Sequence, residues 1–329
     1  MCRTTVCLLI LILLYTLGAY QRNAIWLEES VLWADTTSKS PHKARPLFGL
    51  GCSYLLKGKY RRAKELFQKT ILISPAYAKA HRHLGTVYRK MGLFQEAINA
   101  LEDSLRYDPG SWEAYFNLAN VYNQLDTYDK ALQLYKKAIE LNPSSAEAHN
   151  NLGTVYVQRG LSDLAIVHFK RALELDADTY QVYLNLGKAY LKTGRYSNTI
   201  EEMKKLIQKS PNLSSAYYYS GNAYYLQGLQ DYAIESYKQS LSLEPTQANA
   251  HNNLGCSFYR KGLYQHALEN YQRCLAIAPD HTCAHLNLSL LYKEWSKDKK
   301  KSAYHREKAF TLNPRFSQKK NINQLCVVN

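Results

Sequence analysis

Small and aromatic residues recur along the chain with a period of 34 residues. A small residue occupies the same place in eight copies, at Gly51, Gly85, Ala119, Gly153, Gly187, Gly221, Gly255 and Ser289. An aromatic residue follows three positions later in each copy, at Tyr54, Tyr88, Tyr122, Tyr156, Tyr190, Tyr224, Phe258 and Tyr292. A fixed period of this length indicates an array of repeated supersecondary units.

Each copy predicts two helices joined by a short turn. In the second copy Ala97 and Leu101 lie one helical turn apart, and with Gly85 they mark where two antiparallel helices can approach closely. Gly92 can adopt the left-handed conformation that ends the first helix, and Pro109 closes the unit because proline disfavours helix at the preceding residue. No single pair can bury its apolar face alone, so neighbouring pairs must stack.

The pattern resembles the tetratricopeptide repeat (TPR) over residues 44–314. This resemblance implies an all-α, right-handed superhelical solenoid of eight 34-residue helix-turn-helix repeats, with a concave groove as its working surface. Residues 23–43 match the second helix of a repeat, because Trp33 and Pro41 stand one period before Phe67 and Pro75. We therefore expect a half-repeat cap at 23–43 and a C-terminal cap or tail at 315–329.

The N-terminal 22 residues contain an uncharged apolar run at positions 6–20. This run is shorter than the roughly 20 residues of a spanning helix, but Thr4 and Thr5 before it and Ala24–Trp26 after it can extend it. Residues 1–22 therefore predict a single-pass membrane anchor. A signal segment cleaved before Ala19, followed by export of the chain, is the alternative.

Positive charge is confined to the two ends of the array. The net charge is +15, but residues 81–292 carry 20 basic and 20 acidic side chains. A groove that follows a nucleic-acid backbone needs a continuous basic stripe, so the neutral middle argues against a nucleic-acid partner.

The sequence contains none of the common catalytic or cofactor-binding motifs. It lacks a phosphate-binding Gly-x-x-x-x-Gly-Lys, a Gly-x-Ser-x-Gly elbow, a His-Glu-x-x-His and any Cys-x-x-Cys pair. Histidines recur four positions before the small residue, at His81, His149, His251 and His285. Side chains one repeat apart cannot share a metal ion, so we expect these histidines to pack and predict no enzyme activity, metal or cofactor.

Asparagine recurs two positions before the small residue, at Asn117, Asn151, Asn185, Asn253 and Asn287. Helix propensity gives no reason for asparagine there, whereas each amide could hydrogen-bond the backbone of an extended peptide in the groove. The pattern is similar to the asparagine ladder in the TPR arm of O-GlcNAc transferase. Asparagine before Leu-Gly is also common among TPR sequences in general, so the ladder has a second explanation in shared ancestry.

The sixth repeat interrupts this asparagine pattern with a tyrosine cluster. We predict a binding hot spot there, because tyrosine offers large, stiff contact area with a polar tip. Its residues are Tyr218, Tyr219, Asn222, Tyr225 and Tyr259. Simple filling of the groove by these side chains is the alternative.

These features together predict a membrane-tethered TPR scaffold that binds extended segments of other proteins, with its oligomeric state left open. A further resemblance supplies the alternative. The apolar N-terminal segment, together with the TPR array that follows it, is similar to the C-terminal part of polytopic TPR membrane proteins related to O-mannosyltransferases. The residues that carry this resemblance are Arg22, Asn23, Trp26, Trp33, Lys39, Ser40 and Pro41. It implies an accessory or separated TPR tail of a membrane glycosyltransferase of the O-mannosyl or O-GlcNAc type, without catalysis of its own.

Overall fold

The computed structural model describes residues 29–318, and this part of the chain is helical throughout, without strands. The α-helices are α1 (Glu29–Lys39), α2 (Ala44–Leu56), α3 (Tyr60–Ile73), α4 (Ala78–Lys90), α5 (Phe94–Tyr107), α6 (Trp112–Gln124), α7 (Tyr128–Leu141), α8 (Ala146–Gln158), α9 (Ser162–Leu175), α10 (Tyr180–Lys192), α11 (Tyr196–Lys209), α12 (Ser214–Leu226), α13 (Gln230–Leu243), α14 (Ala248–Arg260), α15 (Tyr264–Ile277), α16 (Thr282–Leu291) and α17 (Lys299–Leu312). A π-helical turn follows α16 at Tyr292–Ser296, and a 3₁₀ turn follows α17 at Pro314–Gln318.

The helices form the antiparallel pairs that the 34-residue period predicts. The even-numbered helices α2 to α16 are the first helices of the eight repeats, and each is followed by its second helix. The chain divides into two compact units, one ending at Val155 and the other beginning at Tyr156. Within each unit, first helices pack on their own second helices, as α4 does on α5 and α12 on α13, and consecutive first helices such as α4 and α6 or α12 and α14 lie side by side.

Close approach of the paired helices explains the small residue of each repeat. A Cβ atom added to Gly85 would lie 2.6 Å from Cγ of Leu101, and one added to Gly221 would lie 2.6 Å from the Tyr237 ring. Leu101 and Tyr237 are themselves fully buried, so neither the Leu101 side chain nor the Tyr237 ring has room to move away. The predicted pairing of small and large residues is therefore the central contact of the repeat.

Glycine ends the first helix in six repeats. Gly92 has φ +75°, and the next amide, that of Leu93, donates to the carbonyl of Tyr88 at 2.9 Å. This is the left-handed C-terminal cap that the sequence predicts. Asp126 and Lys297 take the same conformation without being glycine, with φ values of 54° and 53°.

The structure describes part of each predicted cap, residues 29–43 at one end and 315–318 at the other. In the N-terminal unit α1 packs on α2, and its Trp33 ring fills the space beside Gly49, where an added Cβ would lie 2.4 Å from the indole. The predicted membrane or signal segment and the end of the C-terminal tail lie outside the described residues. Between residues 29 and 318, none of the helices combines the length and apolar character that crossing a bilayer requires.

Candidate peptide-binding surface

The surface formed by consecutive first helices contains two positions that meet between repeats. We call the residue two before the small residue the upstream position and the residue one after it the downstream position. Because the repeat is 34 residues long, an upstream residue lies 31 residues after the downstream residue of the previous repeat. The surface that these residues line within each unit is called the first-helix face below.

In the N-terminal unit the upstream asparagines bond to the downstream residues of the preceding repeat. Asn117 Nδ2 donates to Thr86 Oγ1 at 3.2 Å, and Asn151 Nδ2 donates to Asn120 Oδ1 at 3.0 Å. The buried Tyr135 hydroxyl also donates to Asn120 Oδ1, at 2.5 Å. The amides therefore join neighbouring first helices to each other.

These amides keep unused hydrogen-bonding capacity. Asn117 and Asn120 are both only half-buried. Asn117 Oδ1 and Asn120 Nδ2 have no hydrogen-bond partner among residues 29–318, and neither atom is shielded from solvent. One acceptor and one donor, three residues apart on α6, are thus unbonded and accessible to solvent.

At the last two junctions of the C-terminal unit, the residues at the upstream and downstream positions are buried. Asn253 Nδ2 donates to Asn222 Oδ1 at 2.9 Å, and Asn287 Nδ2 lies 3.1 Å from Cys256 Sγ. Asn252 extends this series of hydrogen bonds, since its amide donates to Asn253 Oδ1 and its Oδ1 accepts from Asn287 Nδ2. The four asparagines are at most 1% exposed, so this network lies inside the packed repeats.

The junction between the fifth and sixth repeats differs from both patterns. Asn185 is half-buried, and its Oδ1 accepts from Gln181 on the same helix at 3.1 Å. At the next junction Lys188 holds the downstream position and Tyr219 the upstream one, with the Lys188 Nζ 5.1 Å from the centre of the Tyr219 ring. A cation–aromatic contact replaces the amide hydrogen bond here.

Burial corrects the prediction of a tyrosine hot spot for two of its tyrosines. Tyr218 is 6% and Tyr225 is 1% exposed, and both belong to the core of the C-terminal unit with Tyr237. Burial raises the pKa of Tyr218 to about 12. Tyr219 and Tyr259 remain partly exposed, and the Tyr259 hydroxyl donates to Glu294.

Sequence reasoning missed the downstream position. It treated the upstream asparagines as unexplained by packing, whereas the structure shows that they join adjacent repeats. The recurrence of polar residues one position after the small residue was the available signal. Those residues are Thr86, Asn120, Thr154 and Asn222.

The recurring histidines have a structural role. In each, Nε2 lies within hydrogen-bond distance of the carbonyl oxygen of the proline six residues earlier, as in His81 with Pro75 at 2.8 Å and His285 with Pro279 at 2.9 Å. His149 and His251 make the same contact. The described part of the chain contains no cluster of three or more histidine, cysteine or acidic side chains suited to a metal ion.

Family comparison agrees with this helix-pair geometry along most of the array. Sequence models of the tetratricopeptide repeat match residues 44–77, 84–146, 134–167, 154–194, 180–212, 221–262 and 248–281. The chain is a TPR protein. This TPR assignment concerns the fold and leaves the partner open.

Solved TPR structures share the fold at low sequence identity. A TPR protein from Parabacteroides merdae is 20% identical with a TM-score of 0.55, over 75% of this chain and 98% of that one. PilF of Pseudomonas aeruginosa is 23% identical with a TM-score of 0.53, over 63% of this chain and 93% of that one. The APC/C hetero-tetramer Cut9–Hcn1 matches with 24% identity and a TM-score of 0.58, over 71% of this chain but only 46% of the matched chain.

Among curated proteins, no sequence matches this chain. The TPR matches and the three structures give no support to the narrower resemblances, to the TPR arm of O-GlcNAc transferase or to membrane proteins related to O-mannosyltransferases. The general TPR scaffold is thus the part of the sequence interpretation that the comparisons support.

Proposed function

We propose that this TPR scaffold binds an extended segment of a partner protein on the first-helix face of its N-terminal unit. The observation that carries the proposal is the pair of unbonded, solvent-accessible amide atoms on α6, Asn117 Oδ1 and Asn120 Nδ2. Both side chains are held in place by their bonds to Thr86, Tyr135 and Asn151, so little conformational freedom is lost when they bind.

An extended backbone matches this pair of atoms. A peptide N–H of the partner donates to Asn117 Oδ1, and a peptide carbonyl accepts from Asn120 Nδ2. Because every residue except proline carries both groups, recognition of this kind depends little on the partner's side chains. Each bond contributes about 0.5–1.5 kcal/mol, so a ladder of weak contacts requires a partner segment long enough to use several of them.

Charged side chains flank these two amides. Arg82 lies on α4 with one guanidinium nitrogen 4.0 Å from Glu113 on α6. Arg89, one turn beyond Thr86 on α4, is partly buried, and this burial lowers the pKa of its guanidinium. The surroundings of the amides therefore carry both signs of charge and do not select strongly for a charged partner.

The double substitution Asn117→Ala and Asn120→Ala tests the proposal. Peptides retained by the full chain from a displayed library of random 12-residue sequences should bind the variant about tenfold more weakly, because two backbone hydrogen bonds are lost. Asn99→Ala is the matched control, since Asn99 is an exposed amide on the second helix α5. Equal affinities of variant and wild type, measured by fluorescence anisotropy, would exclude this face as the binding surface.

We also propose that residues 6–20 attach the scaffold to a membrane. The support is the uncharged apolar run itself. Alkaline carbonate extraction of membranes tests attachment, and the mass of the N-terminal peptide distinguishes an anchor from a signal segment. A chain that starts at Ala19 in the soluble fraction would contradict the anchor.

A further inference from the structure

The junction between α10 and α12 is the place where the first-helix face of the C-terminal unit opens. At the junctions that follow it, buried asparagines close the surface, as Asn253 does against Asn222. Here Lys188 and Tyr219 hold the same two positions. A lysine and a tyrosine cannot form the compact amide pair, so the two helices are joined differently at this level.

A small cavity of about 220 Å³ lies at this junction. Its lining consists of Lys188, Leu191, Lys192 and Tyr219. Leu191 is 7% exposed and provides an apolar floor, while the Tyr219 ring provides an apolar wall. The volume suits the head group and methylenes of one side chain and is below that of a typical pocket for a whole small molecule.

Two lysines line this cavity, and none of the lining residues is acidic. Lys188 and Lys192 lie one turn apart on α10, where like charges repel. Neither lysine forms an ion pair within residues 156–318, whereas Lys205 pairs with Glu201 and Lys209 pairs with Asp178 in the same unit. An anionic group placed in the cavity would accept hydrogen bonds from both ammonium groups and relieve their repulsion.

We propose that this cavity binds the carboxylate of an aspartate or glutamate in the partner segment. The carboxylate oxygens accept from Lys188 Nζ and Lys192 Nζ, and the methylene groups of the acidic side chain pack on Tyr219 and Leu191. This inference rests on the proposed function, because the occupant is a side chain of the same kind of extended partner. It adds a sequence preference to recognition that otherwise depends on the backbone.

The double substitution Lys188→Asn and Tyr219→Asn is designed to rebuild the amide pair of the neighbouring junction. In a selection from the displayed 12-residue library, the full wild-type chain should enrich Asp or Glu at one position, and the double variant should lose that enrichment. Lys204→Asn is the matched control, because it removes one exposed charge from the second helix α11 of the same unit. Hydrogen exchange of α12 verifies that the double variant is folded.

Individual peptides from the selection make the test quantitative. Replacement of the enriched Glu by Gln should weaken binding to the wild type about tenfold and leave binding to the double variant unchanged. A phosphoserine peptide that binds tighter than the Glu peptide would assign the cavity to phosphate and overturn the carboxylate assignment. Retained peptides without acidic enrichment, or with equal enrichment in the variant, would refute the inference alone, whereas failure to retain any peptide would refute it together with the proposed function.

Discussion

The two units of the molecule use the same asparagine position in different ways. In the N-terminal unit Asn117 is half-buried and keeps a free acceptor, whereas in the C-terminal unit Asn253 is fully buried and bonded on both sides. One residue type in one register thus keeps an unbonded, solvent-accessible acceptor in one unit and is a fully enclosed cross-link in the other. The comparison teaches that the function of a repeat position depends on what its neighbours cover.

In the C-terminal unit the asparagine network adjoins an aromatic core. In the C-terminal unit, Tyr237 and Tyr271 fill the large-residue position of adjacent repeats and are completely buried together with Cys256. The Tyr237 hydroxyl donates to Asn222 Oδ1 at 2.8 Å, which ties the aromatic core to the asparagine network. Polar groups within such a core must be satisfied internally, so the network is expected to contribute to stability more than to binding.

Alkaline pH should produce the largest difference in stability between the two units. Burial raises the pKa of the Cys256 and Cys274 thiols and of Tyr218 to about 12 in each case, all in the C-terminal unit. Because the folded state keeps these groups neutral while the unfolded chain ionises near pH 9–10, stability is complete below that pH and falls as pH rises toward 12. The loss is about 1.4 kcal/mol per group and pH unit.

Hydrogen exchange of α12 and α14 between pH 8 and 11, corrected for the intrinsic rate, measures this loss. Helices α4 and α6 of the N-terminal unit should be less affected, because among their neighbours Tyr135 is the fully buried tyrosine with a raised pKa. Equal loss of protection in both units would contradict the assignment of the difference to the buried groups.

Removal of one amide from each unit gives the next largest effect. Asn253→Ala removes one buried hydrogen bond from each of Asn222 and Asn252, which keep their bonds to Tyr237 and Asn287, and should lower the free energy of unfolding by about 2–3 kcal/mol. Asn117→Ala, its counterpart 136 residues earlier in the same register, should cost less than about 1 kcal/mol, because water can reach Thr86. Urea denaturation followed by circular dichroism compares the variants, and equal destabilisation would show that exposure does not distinguish the two positions.

Replacement of the left-handed non-glycine residues should give the smallest change in stability, and the change should be similar in both units. Asp126 in the N-terminal unit and Lys297 in the C-terminal unit are left-handed residues at the place where other repeats have glycine. Asp126→Gly and Lys297→Gly relieve backbone strain but give the unfolded chain more freedom, so each should stabilise by about 0.5–1 kcal/mol.

Thermal denaturation of these two glycine variants sharpens the comparison. Similar gains would confine the difference between the units to the first-helix face. A loss for Asp126→Gly alone would show that the hydrogen bond from the Tyr128 hydroxyl to Asp126 Oδ1 contributes more than the strain removes.

Much of the array could be predicted from residues that are close in sequence or separated by a fixed period. The helix ends at Gly92, the contact between Gly85 and Leu101 and the role of Trp33 beside the first repeat all follow from such patterns. The candidate site was predicted only in part. The sequence located the asparagines but did not reveal that Asn120 is their partner or that Tyr218 is buried.

By itself, the sequence determined a solenoid of helix pairs, because periodic small and large residues can be buried only by stacking. Tertiary structure alone decided which asparagines stay accessible to solvent and where two lysines line a cavity. The physical reason is that exposure depends on side chains 31–35 residues away on adjacent helices. In the C-terminal unit these are Tyr218 and Asn222 for Asn253, and Asn252 and Cys256 for Asn287.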